Sequence, residues 1–145
     1  MKNYEYIVSA CLAGKNCKYN GGNNACEAVI SLVQQDRALA ICPESLSGLP
    51  CPREPSERRG NEFVSRSGKN VTKEFEKGAS LALKAALKSG AKKAVVKSRS
   101  PSCGYKKIYD GSFSGKLCNG NGLWTEHLLN NGFEIFTENA LPHDI

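Results

Sequence analysis

The chain has 145 residues, 40% of them hydrophobic and 23% charged, with a formal net charge of +6. That is the size of one domain around one core and the balance of an ordinary globular protein, which excludes disordered and fibrous classes. No apolar run approaches the roughly 18 residues of a membrane span, and no apolar stretch with a cleavage site follows Met1, so the reading is a cytoplasmic protein with no membrane partner.

Tyr6 to Ala10 reads as a short strand ending at Cys11, and Gly14 to Gly22 as a loop. Asn24 is a good helix cap with Glu27 three residues on, and Cys26, Val29, Ile30 and Val33 share one face of the helix that follows. Ala38 to Ile41 is a second strand, ending at Cys42. The stretch 47–69 is rich in Pro, Gly and charge with little periodicity, and reads as a mobile excursion. Thr72 is placed to cap the clearest helix, whose stripe is Phe75, Ala79, Ala82, Leu83, Ala86 and Leu87 and whose stop is Gly90. Ala94 to Val96 is a third strand. Asp110-Gly111, between Ile108-Tyr109 and Ser112-Phe113, has the composition of a hairpin turn. Leu123 to Asn130 is a last helix and Glu134 to Thr137 a last strand. Gly120-Asn121-Gly122 could cradle an anion ahead of that helix, a weak signal by itself.

Strands alternating with helices predict an α/β fold: one domain over 1–145, with a mainly parallel, Rossmann-like sheet and helices on both faces. Ligands of such sheets bind beyond the carboxyl ends of the strands. Cys11, Cys42 and Cys103 each come after a predicted strand, so the fold can bring three thiols to one place.

The chain has seven cysteines and no C-x2-C pair, which argues against a zinc ribbon or a thioredoxin-like motif. Three convergent thiolates suit an iron–sulfur cluster with one iron left open. Buried, inert cysteines are the plainer alternative from spacing alone. Cys26 fits the core by its helical face, and Cys118 is incidental. Cys17 and Cys51 are each a spare ligand or a resolving thiol. Glu44, two residues past Cys42, is a candidate general acid or base, with a loop carboxylate as the alternative. Ser100 in Ser100-Pro101-Ser102-Cys103 is a candidate proton carrier or a turn-forming serine. His127 and His143 are poor metal ligands by position. Trp124 reads as core.

From Lys84 to Lys116 there are nine Lys or Arg residues against one acid, Asp110. Such a stretch could attract a nucleotide or RNA, although solvated surface explains it more simply.

Six blocks carry a family resemblance. They are Val8-Ser9-Ala10-Cys11-Leu12, Cys17-Lys18-Tyr19-Asn20-Gly21-Gly22, Cys42-Pro43-Glu44, Gly48-Leu49-Pro50 with Pro52-Arg53, Ser100-Pro101-Ser102-Cys103-Gly104, and Ile108 to Gly115. In this order they resemble the thiouracil desulfidase family, long catalogued as a bacterial domain of unknown function. The resemblance implies a 4Fe–4S cluster on Cys11, Cys42 and Cys103, with Glu44 and Ser100 near the open iron. It also implies non-redox, hydrolytic removal of sulfur from a base such as 2-thiouracil or 4-thiouracil, so the expected partner is a small thiolated base or nucleotide. The chain departs from the family pattern at Cys51, Ser47 and Lys18, where threonine, glycine and arginine are commoner, and Cys51 is thereby an alternative to Cys42 as ligand. Nothing carries over to 57–69. Two other readings stand beside this one: a sulfur-handling enzyme acting on tRNA, and a non-catalytic metal-binding or redox-sensing module.

Overall fold

The computed structural model describes residues 3–145. In chain order the elements are β1 (Tyr6–Ser9), a 3-10 turn (Ala10–Ala13), α1 (Glu27–Gln34), β2 (Ala38–Ile41) and α2 (Pro43–Leu46). Then come β3 (Ser56–Arg59), β4 (Glu62–Ser65), α3 (Thr72–Lys88) and β5 (Lys93–Val96). The last are β6 (Lys107–Tyr109), β7 (Leu117–Asn119), α4 (Leu123–Asn130) and β8 (Glu134–Thr137).

The four apolar strands form one parallel sheet in the order β2-β1-β5-β8, as the alternation of elements predicts. Strand side chains alternate between faces, and here both faces are covered. Ile7, Ile41, Ala94, Val96 and Ile135 pack under α3 and α4, with Ala79, Ala82, Trp124 and Leu128. Tyr6, Val8, Ala38 and Val95 pack on the other face with Leu12, Val29 and Leu32. Burial on two faces is why β1 and β5 read as continuous apolar runs. Among the described residues no helix is long and apolar enough to cross a membrane.

Helix α3 crosses α2 at Gly78. A Cβ there would stand 2.1 Å from the Pro43 carbonyl oxygen, so only glycine allows the contact. This approach seats the short helix that Cys42 caps.

The sequence signals differ from the structure in four places. Cys26, not Asn24, is the cap residue of α1, and its side chain makes no capping bond. Thr72 is the first residue of α3; Asn70 Oδ1 accepts from its amide, while the Thr72 hydroxyl accepts from Phe63 N. The excursion 47–69 carries an antiparallel hairpin, β3–β4, which its weak periodicity conceals. The hairpin of β6 closes on β7 rather than on Ser112-Phe113, leaving 110–116 as a loop.

Candidate active site

The carboxyl ends of the sheet open into a pocket of about 440 Å3. Cys11 enters it from the 3-10 turn after β1, Cys42 from the junction of β2 and α2, and Cys103 from the loop after β5. Cys17 joins them, whereas the exposed Cys51 does not line the pocket. The Cys51 thiol turns to the carbonyls of Asn16 and Lys18. Cys26 packs against the sheet's second core, and Cys118 lies in β7 outside the pocket.

Each thiol has a specific environment. Burial pushes Cys11 up, a hydrogen bond from the Asn24 side chain works against it, and the charge of Cys42 adds to the rise. The Asn24 side chain faces this sulfur, and the cap position of α1 falls to Cys26. Burial pushes Cys103 well up, opposed by the Ser9 hydroxyl, with Cys11 and Cys42 raising it further. Cys42 goes the other way. A hydrogen bond from the Cys17 thiol lowers it, outweighing burial, and the amide of Ser45 helps at 3.4 Å from its sulfur. Cys17 is raised by the same bond. All three sulfurs line one cavity, so charge on any one of them opposes charge on the others.

Glu44 lies in the first turn of α2 and lines the same pocket. Its Oε1 accepts from Arg53 Nε and Nη2 at 3.2 and 3.0 Å, and its Oε2 accepts from the Ser102 hydroxyl at 2.9 Å. Arg53 also donates to the carbonyls of Cys17 and Pro50. The carboxylate is thus held at both oxygens, with the Arg53 side chain 7% exposed. Arg53 and Ser102 went unremarked as site residues in the sequence. Arg53 lies nine residues from Glu44 with prolines between, and Ser102 is 58 residues away, so no local spacing marks either pair.

Ser100 holds its turn through its oxygen, which accepts the amides of Ser102 and Cys103 at 3.1 and 3.0 Å. The same loop is braced by α4. The amides of Gly122, Leu123 and Trp124 donate to the carbonyls of Gly104, Pro101 and Ser102. Those amides are therefore spoken for, and the Gly120-Asn121-Gly122 segment serves the Cys103 loop instead of an anion. A Cβ at Gly122 would meet the Ser102 carbonyl carbon at 2.3 Å, so the close approach of α4 to the loop requires glycine.

Lys97, also in the pocket wall, pairs with Glu138 at 2.9 Å. His127 and His143 do not line the pocket. The arrangement offers several soft thiol donors beside an oriented carboxylate, a set suited to binding a thiophilic metal group and moving protons next to it.

The chain is 42% identical to a solved [4Fe-4S]-dependent thiouracil desulfidase, TudS, with a TM-score of 0.88, covering 98% of this chain and 94% of that one. It is 38% identical over 145 residues to the uncharacterized protein YbbK of Bacillus subtilis (strain 168), covering 93% of this chain and 96% of YbbK. The sequence profile of the 2-thiouracil desulfurase family matches residues 6–140, and the chain belongs to that family.

Proposed function

We propose that the chain hydrolyses the C=S group of a thiolated pyrimidine at a 4Fe–4S cluster held by Cys11, Cys42 and Cys103. The observation that carries the reading is the convergence of these three thiols on one pocket beside a carboxylate fixed at both oxygens. A cluster fits such a donor set, because each thiolate binds a different iron and the sulfurs stand further apart than around one ion. Burial that raises Cys11 and Cys103 is overcome when metal binds, since coordination releases the thiol protons.

When bound, the cluster supplies an iron with no protein ligand, a Lewis acid for the thione sulfur. The chain's own residues do the rest. Glu44 takes a proton from the water that adds to the thione carbon; the C–S bond then breaks, giving uracil and hydrogen sulfide with no net redox change. Arg53 and Ser102 hold the carboxylate in place. Ser100, whose oxygen is used by two amides, keeps its proton for donation into the pocket. The excursion 47–69 supplies Arg53 and the hairpin β3–β4.

Anaerobic reconstitution followed by iron and sulfide analysis and by turnover of 2-thiouracil and 4-thiouracil tests this reading. About four irons per chain and one sulfide per uracil formed are expected. A loaded protein that releases no sulfide from either base is a metal-binding module. Turnover on thiolated tRNA alone, weakening steeply with salt, identifies an RNA enzyme.

A further inference from the structure

The loop 110–116 is built with more restraint than a surface loop needs. Phe113 lies in the left-handed backbone region at φ 57, rare for a bulky side chain. It is kept there from outside its own hairpin: Glu57 Oε1, on β3, accepts the amides of both Gly111 and Phe113 at 3.0 and 3.1 Å. Arg59 Nε donates to the Gly111 carbonyl at 2.7 Å, closing a clasp between the two hairpins. The result is a half-buried aromatic ring in the wall of the thiol pocket. The Arg66 guanidinium stands 5.9 Å from the centre of that ring.

We propose that Phe113 is the stacking wall for the pyrimidine, with Glu57 as its positioning residue, an inference that rests on the function proposed above. Strained conformations persist where the surroundings over-determine them, and they gather at ligand clamps. A flat base needs a flat apolar partner, and aromatic side chains serve this purpose in proteins that bind unpaired bases. Arg66 lines the same pocket beside this ring, so a base stacked on Phe113 also lies within reach of a guanidinium.

Uracil separates this inference from the sulfur chemistry, because it has the ring and lacks the thione. Equilibrium dialysis of labelled uracil against the cluster-loaded protein is the first measurement, and KM and kcat on thiouracil the second. Phe113→Leu, which keeps an apolar side chain without a π face, is expected to weaken uracil binding and raise KM about tenfold, with kcat within about threefold of wild type. Phe113→Trp should bind uracil as well as wild type. Glu57→Ala should match Phe113→Leu, Glu57→Gln should retain most of the affinity, and the double variant Glu57→Ala/Phe113→Leu should be no worse than either alone. Unchanged uracil binding and KM in a folded Phe113→Leu protein overturns the stacking wall and leaves the desulfidase reading intact. Uracil binding that depends on Phe113 in a protein that releases no sulfide does the reverse.

Discussion

The pocket's inner wall hangs from four parallel strands buried on both faces, whereas its outer wall is two small hairpins fastened to each other and to α4 by charged side chains. In the inner wall, apolar packing sets where Cys11, Cys42 and Cys103 stand, and polar contacts such as Asn24 to Cys11 only trim their chemistry. In the outer wall, β4 packs on α3 through the stacked rings of Phe63 and Phe75, and hydrogen bonds of charged side chains place β3 and the loop 110–116. Arg58 alone joins β3 to the Asn121 carbonyl and to Glu126. The difference predicts that the thiol end of the pocket is as stable as the domain, while β3 and the loop 110–116 loosen first.

The strongest way to break that contrast is to remove an inner-wall thiol. Serine at Cys11, Cys42 or Cys103 should abolish iron retention after anaerobic reconstitution, while serine at Cys26, Cys51 or Cys118 should leave the iron content near that of wild type. Full loading of Cys42→Ser together with loss in Cys51→Ser would transfer the ligand to the outer loop and undo the contrast.

Next in size is Glu44, which sits where the walls meet, on α2 but held by Arg53 and Ser102. Glu44→Gln should load iron normally and lower sulfide release by about 10²-fold or more. Ser102→Ala should cost less, because Arg53 still holds the other oxygen. Undiminished turnover in Glu44→Gln would remove the proton-transfer role.

Stability gives the third test. Gly78→Ala forces a Cβ against Pro43 and should destabilise the whole domain by about 1–3 kcal/mol, read as a lower thermal midpoint. Arg58→Met should instead increase protease cutting within 56–65 with a smaller change in that midpoint. Equal losses for the two variants would make the walls one cooperative unit.

The same contrast governs what the sequence reveals. Tyr6 to Ser9, Ala38 to Ile41 and Glu134 to Thr137 are legible as strands because short apolar runs mark them, and the gathering of Cys11, Cys42 and Cys103 at one end of the sheet follows from the fold rule for strand ends. The clasp is illegible because its partners lie 52 to 56 residues apart and each bond occurs once. Asn24 and Thr72 mislead for a related reason. Both have capping chemistry, but Asn24 is drawn to the Cys11 sulfur and Thr72 to the Phe63 amide. The Phe113 backbone likewise answers to Glu57, not to the Asp110-Gly111 pair beside it.

The smallest effect expected lies within the inner wall, in the unequal thiols of the cluster-free protein. Cys42 is lowered chiefly by the Cys17 hydrogen bond, while Cys11 and Cys103 are raised chiefly by burial. The thiolate is the reactive form, so the rate of alkylation rises through the pKa and levels off above it. With a lowered value, Cys42 should therefore be alkylated by iodoacetamide ahead of the other two at pH 7. By linkage, a lowered value in the folded state adds stability above the ordinary thiol range, and that stability is lost as pH falls through the lowered value. Cys17→Ala removes the donor and should move the Cys42 midpoint upward, slowing its modification at pH 7 by about tenfold or less and leaving the rate at pH 10 nearly unchanged. Peptide mapping after timed alkylation reads each cysteine separately. A Cys42 rate that ignores Cys17 would show that the pair is an accident of proximity. A shifted midpoint with normal iron loading in Cys17→Ala would show that Cys17 tunes its neighbour without being a ligand.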